Sequence, residues 1–321
     1  MRPETLQRIE EAMRQLSYQP NRAALQLKTG HSDIIGLLVP SIANPSFAAL
    51  ALALEKEARD SYGYRLLLGN THRDREEETR FLDDLLSHGV RGMIAVASDI
   101  AGDHFRAAVR RGVSVIDYDG RTAARAGSRQ MPIDSVSMDN VRAGEIAARH
   151  LIDVGCVSLA FLSEAGQIES RRDKMAGFRR AAQQAGVAAQ VVEKRAADEF
   201  GDASMVELGR ELGCRLAQMK QRPDGVVCIN DMLAIGLLSS LRDCDVRVPE
   251  DICVVGIDDI FLAPLVTPPL TSVRPPLAEL ARLMVDRIVA RQSDPDLPGQ
   301  EFLLAPVLSA RASTRRPGQG Q

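Results

Sequence analysis

The stretch Tyr18-Gln19-Pro20-Asn21-Arg22-Ala23-Ala24-Leu25-Gln26-Leu27-Lys28-Thr29-Gly30 leads, after three polar residues, into the apolar run Ile34-Ile35-Gly36-Leu37-Leu38-Val39. The Pro-Asn pair ends one helical pattern, and a very short pattern rich in Ala and Leu follows it. A helix this short is marginal in water, so it forms only when something packs against it. The apolar run that comes next has the length and composition of a buried strand.

From residue 34 onward, apolar runs alternate with amphipathic stretches. The runs predict strands at 34–39, 64–69, 92–97, 113–117, 157–162, 190–194, 224–229 and 252–257. The stretches between and after them predict helices at 46–61, 74–88, 102–111, 140–154, 171–186, 203–220, 230–243 and 277–291. Such alternation is typical of right-handed βαβ units and parallel sheets. Because the series restarts near residue 157, we expect an α/β body of two similar lobes.

The segment before the linking helix has a different pattern. Residues 3–16 predict a helix, with Pro3 suited to its first turn. Leu6, Ile9, Met13 and Leu16 recur at helical spacing and form one apolar stripe. A stripe on a lone helix needs other helices to cover it, so we expect this helix to be one part of a larger helical unit.

The composition of the chain limits the classes of protein to which it can belong. The 321 residues are 45% hydrophobic and 26% charged, which is ordinary for a globular chain. Residues 1–30 carry five Lys or Arg and three Asp or Glu, which leaves the remainder acidic within a net charge of −3. The five cysteines form no Cys-x-x-Cys pair, and we interpret them as buried free thiols. The sequence offers neither an apolar leader nor a membrane-spanning run, which favours a cytoplasmic location without membrane contact.

The motifs of common enzyme classes are missing from the sequence. A Gly-x-Gly-x-x-Gly after the first strand and a phosphate-binding Gly-rich loop ending in Lys-Ser or Lys-Thr do not occur. The five histidines are scattered and lack the spacing of metal ligands. We therefore expect a chain that is not an enzyme and needs neither a cofactor nor a metal ion.

A series of short motifs resembles the lac repressor family of bacterial transcription regulators. Each motif is weak alone, but together they run in order along almost the whole chain. They are Leu16-Ser17-Tyr18-Gln19-Pro20-Asn21, Ile35-Gly36-Leu37, Asn44-Pro45-Ser46-Phe47, Gly63-Tyr64, Gly92-Met93-Ile94, Met138-Asp139-Asn140, Ala176-Gly177-Phe178, Asn230-Asp231-Met232-Leu233-Ala234-Ile235-Gly236, Val254-Val255-Gly256-Ile257-Asp258-Asp259, Pro269-Leu270-Thr271-Ser272-Val273 and Arg311-Ala312-Ser313-Thr314.

The resemblance implies an organisation of the chain. Residues 1–30 correspond to part of a DNA-binding headpiece and its hinge helix, and residues 31–321 to a body that resembles periplasmic binding proteins. The first lobe is expected at about 31–157 plus 275–304, and the second at about 158–274 plus 305–314. The chain is expected to cross between the lobes near 155–160, 270–276 and 305.

The resemblance also implies contacts with DNA and a second copy of the chain. In this family the hinge helix enters the minor groove, where Leu27 would act as an apolar wedge. The positions expected at the DNA are Tyr18, Asn21, Arg22, Ala24, Leu27 and Lys28. An ordinary linker helix with Leu27 in a core is the alternative. Residues 3–16 match only the third headpiece helix, so we expect impaired operator binding by this form and a start codon further upstream.

Two polar residues follow predicted strands where ligands of open α/β sheets bind. Asp258 comes directly after the strand at 252–257, and its carboxylate can accept hydrogen bonds from two ligand hydroxyls. Asn230 follows the strand at 224–229. The resemblance implies that Asp258 is the main polar anchor of a small-molecule effector. Both side chains also suit turns or helix caps, and Asn230 can do both.

The resemblance places further effector contacts on both lobes. Ser170 and Lys174 stand near the start of a helix, and family members commonly have Arg in place of Lys174. A lysine lacks the rigid fork of arginine, so the nature of the effector stays open and an anionic compound such as a sugar acid remains an alternative. Ser46, Phe47 and Phe200 are expected to line the site, and Asp117 is a weaker candidate.

The sequence thus predicts an effector-responsive bacterial transcription regulator, most simply a repressor. It would act as a homodimer and bind a sugar or sugar derivative between its lobes. A solute-binding protein of the same fold without DNA binding is the first alternative. A doubly wound enzyme such as a dehydrogenase is the second, and the missing cofactor fingerprint disfavours it.

Overall fold

A computed structural model describes residues 3–16, 32–97, 99–120, 133–166, 168–195 and 202–314. Within these ranges the strands are β1 (Ile34–Val39), β2 (Arg65–Asn70), β3 (Gly92–Ala95), β4 (Ser114–Tyr118), β5 (Asp134–Met138), β6 (Ser158–Glu164), β7 (Ala188–Lys194), β8 (Gly225–Cys228), β9 (Cys253–Ile257), β10 (Thr271–Arg274), β11 (Glu301–Leu304) and β12 (Val307–Ser309). The α-helices are α1 (Pro3–Gln15), α2 (Pro45–Tyr62), α3 (Arg75–Ser87), α4 (Asp103–Arg110), α5 (Asn140–Asp153), α6 (Glu169–Ala185), α7 (Asp202–Gln218), α8 (Asp231–Asp243) and α9 (Leu277–Ser293).

The strands form two six-stranded sheets with the same internal order. The first runs β11-β5-β4-β3-β1-β2, and all of its pairs are parallel. The second runs β12-β10-β9-β8-β6-β7, and only β12 is antiparallel to its neighbour. The repeated order confirms the predicted α/β body of two similar halves. We call the first sheet with the helices that pack on it the first lobe, and the second sheet with its helices the second lobe.

The helix α5 packs on the second lobe, contrary to the expected boundary near residue 157. Ala143, Ala147 and Leu151 are fully buried in the second-lobe core, and α5 lies against α6. The helices are equally close at Gly144 and Gly177, where an added Cβ would meet the carbonyl oxygens of Lys174 and Val141 respectively at 1.8 Å. The chain therefore leaves the first sheet after Met138, earlier than predicted.

Two further crossings join the sheets, one between β10 and α9 and one between β11 and β12. The strand β10 belongs to the second sheet, and α9, which follows it, packs against β3, β4 and β5 of the first. The chain then returns to the second sheet between β11 and β12. Three connections thus join the lobes on one side, and opposing surfaces are left between them.

The apolar strand runs are covered on both faces. In the first lobe, Ile35, Leu37 and Val39 pack with α2 and α9, and Leu38 faces the opposite cluster with Phe105. In the second lobe, Val226 and Val227 are fully buried in a single large cluster. Covering both faces explains why these strands are continuously apolar.

A buried carboxylate holds together three segments of the first lobe. Asp134 in β5 accepts hydrogen bonds from Arg291 (2.7 and 2.8 Å) and Arg287 (2.7 Å) of α9. It also accepts one from the backbone N–H of Gln300 at 2.9 Å, just before β11. Burial alone would raise the pKa of Asp134, but the bonds from both arginines and from Gln300 outweigh it and lower the pKa.

The remaining sequence expectations have mixed outcomes. The helix predicted at 3–16 is present as α1, while the predicted hinge lies outside the described residues. Cys156, Cys228 and Cys253 are buried free thiols as predicted, but Cys214 and Cys244 are exposed because they lie on the outer sides of α7 and at the end of α8. Of the helices in the described ranges, none is long and apolar enough to cross a membrane.

Candidate functional site

A cleft of about 400 Å³ lies between the lobes, at the carboxyl ends of the central strands of both sheets. Its first-lobe side follows β1, β2 and β4, and its second-lobe side follows β6, β8 and β9. These are the positions where open parallel sheets bind ligands. Its lining residues are Pro40, Ser41, Asn44, Ser46, Phe47, Arg73, Tyr118, Asp119, Met138, Glu164, Ala165, Gly166, Ile168, Ser170, Arg171, Lys174, Arg195, Ser204, Met205, Ile229, Asn230, Asp258 and Pro275.

The start of α2 forms one wall of the cleft. Asn44 caps the helix, and its side-chain oxygen accepts a hydrogen bond from the backbone N–H of Ser46 at 2.9 Å. This cap and Pro45 in the first turn fix where the helix begins. Ser46 and Phe47 consequently face the cleft, and Phe47 also packs against the first-lobe core. The wall combines a hydroxyl with an aromatic surface.

The end of β4 supplies Tyr118 and Asp119. Asp119 has a left-handed backbone (φ 66°) and accepts hydrogen bonds from Asn140 at 2.8 Å and from Ser137 at 3.2 Å. These bonds fix the carboxylate at the edge of the cleft. Burial, together with the charges of Asp119 and Asp258, raises the pKa of Tyr118, so the phenol keeps its proton and can donate to a ligand.

Arg73 projects into the cleft from the turn that follows β2. Its backbone is left-handed (φ 57°), and its guanidinium donates a hydrogen bond to the carbonyl oxygen of Ala97 at 3.2 Å. Burial lowers the pKa of Arg73, and the negative charge of Asp119 opposes that effect. Within the described ranges, no carboxylate lies within ion-pair distance of this guanidinium.

The first turns of α6 form the opposite wall. Ser170 and Lys174 are one helical turn apart and are 4% and 8% exposed. Arg171 forms an ion pair with Glu164 at the end of β6, and both side chains are largely buried. The ammonium group of Lys174 has no hydrogen-bond or ion-pair partner among the described residues. Lys174 is therefore a mostly buried residue whose ammonium group is available to a ligand in the cleft.

Asp258 and Asn230 close the floor of the second lobe. Asp258 follows β9 with a φ of 111°, and its backbone N–H donates to the carbonyl oxygen of Val273 at 2.9 Å. Asn230 caps α8, because its side-chain oxygen accepts a hydrogen bond from Leu233 N–H at 3.0 Å. Asn230 also lines the cleft, so one side chain both caps the helix and forms part of the cleft surface.

A second carboxylate, that of Asp231, stabilises the turn that carries Asp258. Asp231 is fully buried and accepts hydrogen bonds from Ser272 Oγ at 2.6 Å and from Ile260 N–H at 2.8 Å. Burial and the charge of Asp258 raise the pKa of Asp231 well above its ordinary value. Asp231 therefore fixes the turn that carries Asp258 rather than contacting a ligand itself.

Most of the effector-site residues predicted from sequence lie together in this cleft. Ser46, Phe47, Ser170, Lys174, Asn230 and Asp258 all line it. Asp117 does not, because its carboxylate is buried beneath the surface and faces the backbone of Gly120, and it is Tyr118 and Asp119 that reach the cleft.

Phe200 lies outside the described residues, and so do all six positions predicted at the DNA: Tyr18, Asn21, Arg22, Ala24, Leu27 and Lys28.

Sequence reasoning missed several residues that line the cleft. Arg73, Asp119, Glu164 and Arg195 each come just after a strand or at its end. The strand-end rule that selects Asp258 would have found them, had it been applied to every strand. Arg171, which sequence reasoning did not select either, is paired with Glu164 and mostly buried in the cleft.

The chemistry of the cleft is that of a binding site. Carboxylates, amides and hydroxyls from both lobes converge beside Phe47, Tyr118 and Met138, a combination that suits a small polyhydroxylated compound. In the described parts of the chain, no three His, Cys, Asp or Glu side chains are grouped so as to hold a metal ion.

The sequence is similar to that of known binding proteins and transcription regulators. The sequence profile described as the periplasmic binding protein-like domain matches residues 148–314. The chain is 28% identical to the HTH-type transcriptional repressor PurR of Photobacterium profundum, over 97% of this chain and 90% of that protein. It is 29% identical to the ribose operon repressor of Escherichia coli K12, over 95% of this chain and 89% of that protein.

Solved structures show the same fold. A structure described as the complex of the transcriptional regulator CelR with cellobiose is 26% identical, with a TM-score of 0.73 over 98% of this chain and 91% of that one. A periplasmic binding protein/LacI transcriptional regulator from Alkaliphilus metalliredigens QYMF, complexed with D-xylulofuranose, is 24% identical. It aligns with a TM-score of 0.75 over 89% of this chain and 100% of that one.

Proposed function

The chain belongs to the periplasmic-binding-protein-like family, and within it to the lac repressor family of transcription regulators, and from this premise we propose that it is an effector-responsive repressor. The observation that carries the proposal is the cleft, in which Asp258 and Asn230 of one lobe face Phe47 and Tyr118 of the other. A ligand that bridges the lobes favours one relative orientation of the two, and this preference is what couples binding to DNA affinity.

A sugar or sugar derivative is the effector class that the cleft favours. Polar groups that accept hydrogen bonds alternate with apolar and aromatic surface, which suits the polar edges and apolar faces of a sugar ring. Relatives of similar sequence and fold are described as a ribose operon repressor and as a complex with cellobiose. We propose that Asp258 binds ring hydroxyls and that Phe47 packs against the ring.

We propose that the regulator acts as a homodimer on an operator, in the cytoplasm where the genome lies. Phe261 and Leu265 are 70% and 71% exposed on the same short segment after β9, and Leu52 on α2 is 71% exposed. Large apolar side chains exposed to this degree are suited to burial against another protein surface.

Transcript levels measured in cells test the regulatory role. We expect a small set of transcripts to rise when the gene is deleted, and to respond to the effector when it is present. A strain that carries Asp258→Ala at the native locus should repress but no longer respond. Unchanged transcripts, together with tight effector binding by the purified chain, would contradict the regulator and favour the solute-binding alternative.

A further inference from the structure

The distribution of charge in the cleft is uneven once the pairs inside the protein are taken into account. Glu164 forms an ion pair with Arg171, whereas the hydrogen bonds that Asp119 accepts come from the uncharged side chains of Asn140 and Ser137. Two cations remain without a carboxylate partner among the described residues, Arg73 on the first lobe and Lys174 on the second.

Lys174 carries the stronger evidence for a ligand. The residue is 8% exposed, and its ammonium group forms neither an ion pair nor a hydrogen bond with the described residues. Its position is also fixed by the backbone, because Gly144 of α5 touches the carbonyl oxygen of Lys174 and locks this turn of α6. A cation at a cleft surface that has no ion-pair partner is complementary to an anion.

Arg73 supplies the matching group on the opposite lobe. Its left-handed backbone is unusual for a residue other than glycine, and strain of this kind concentrates at ligand sites. One hydrogen bond, to Ala97, orients the guanidinium and leaves its other N–H groups available to a ligand. Arginine binds carboxylates and phosphates through two parallel hydrogen bonds, which a neutral hydroxyl cannot match.

We propose that the effector is an anionic sugar derivative whose carboxylate or phosphate lies between Arg73 and Lys174, while its hydroxyls face Asp258 and Asn230. The proposal rests on the proposed function, since it names the ligand class of the same cleft. The anion would also join the lobes, because Arg73 belongs to the first and Lys174 to the second. Closure of the cleft would therefore depend on the ligand's charge.

Titration calorimetry with matched compounds tests the proposal. The panel contains D-glucose, D-gluconate and glucose 6-phosphate, with the corresponding three compounds of galactose and of ribose. We expect one acid or phosphate to bind at least about tenfold more tightly than its neutral parent, and the affinity to fall as salt is added. Comparing the acids with the phosphates shows whether the cleft prefers a carboxylate or a phosphate group.

Substitutions of Arg73 and Lys174 test whether these two cations cause the preference for an anionic ligand. Arg73→Gln and Lys174→Gln should each weaken binding of the preferred anion by about ten- to hundredfold, with little change for its neutral parent. Lys174→Arg should retain the preference. Arg75→Gln, at an exposed position two residues from Arg73, is the matched control and should bind as the unaltered chain does. Thermal denaturation checks that each variant is folded.

The outcomes separate this inference from the function on which it rests. Neutral sugars that bind as tightly as their acids and phosphates, or an anion whose affinity both glutamine variants leave unchanged, would overturn the inference and leave the proposed function standing. A chain that binds none of the nine compounds would contradict both.

Discussion

Backbone strain collects around the cleft. Six residues other than glycine have a positive φ in the described ranges, and Arg73, Asp119 and Asp258 among them line the cleft. Sequence patterns selected Asp258 but missed the other two, because strain depends on turns that periodicity does not resolve. Position at the end of a strand was also an incomplete guide for Asp117, since a strand-end carboxylate can point into the lobe as easily as into the cleft.

The buried carboxylate Asp134 allows a prediction at the level of one residue. Asp134→Asn should destabilise the protein by about 3–5 kcal/mol, because it leaves Arg287 and Arg291 buried with an incomplete partner. Chemical denaturation measures the change. Asp296→Asn, at an exposed position, is the control and should alter stability little. Equal stabilities of the two variants would contradict the structural role of Asp134.

The same group predicts a pH dependence. The pKa of Asp134 is lowered in the folded protein, so its contribution to stability is present above the ordinary carboxylate pKa of 3.8. The contribution is lost as the pH falls through the folded value. The stability difference between the unaltered chain and Asp134→Asn should therefore narrow below about pH 4. A difference that stays constant down to pH 2 would contradict the assignment.

At the scale of elements, the helices and the apolar strands could be predicted from sequence. Four strands could not, namely β5, β10, β11 and β12. The strand β5, Asp134-Ser135-Val136-Ser137-Met138, is fully buried but carries three polar residues whose partners come from distant parts of the chain. The other three are short and each contains at least one polar residue, so none stands out as a continuous apolar run.

The contact between α5 and α6 is an element-level feature with a measurable consequence. An added Cβ at Gly177 would lie 1.8 Å from the carbonyl oxygen of Val141, so Gly177→Ala should force the helices apart. We expect a loss of stability of about 1–3 kcal/mol from overpacking, and weaker effector binding because Lys174 lies on the displaced turn.

Denaturation and calorimetry together measure these two effects. Gln183→Ala, at an exposed position of the same helix, is the matched control and should change neither quantity. If Gly177→Ala were as stable as the control and bound the effector equally well, the close helix contact would have no importance for the cleft.

At the scale of the whole molecule, the repeated strand order explains why the two-lobed body could be predicted. The position of the first crossing could not, because α5 follows a first-lobe strand in sequence and only tertiary packing assigns it to the second lobe.

The oligomeric state is a property of the whole molecule that can be measured directly. The chain should form a dimer in light scattering, and Phe261→Glu with Leu265→Glu should shift it toward the monomer, because burying two carboxylates at an interface is costly. Lys220→Glu, at an exposed position just after α7 and away from these side chains, changes the charge by the same amount and is the control. A monomer in the unaltered chain, or a dimer that the double variant leaves intact, would contradict the proposed homodimer.

The central claim is that the cleft between the lobes binds the effector through Asp258. The most direct measurement is titration calorimetry of the unaltered chain and of Asp258→Ala, with the compound from the panel that raises the thermal midpoint most. The account predicts one site per chain and a loss of about 1.5–3 kcal/mol in the variant, which is about ten- to hundredfold in affinity. An unchanged affinity in a folded Asp258→Ala variant would contradict it.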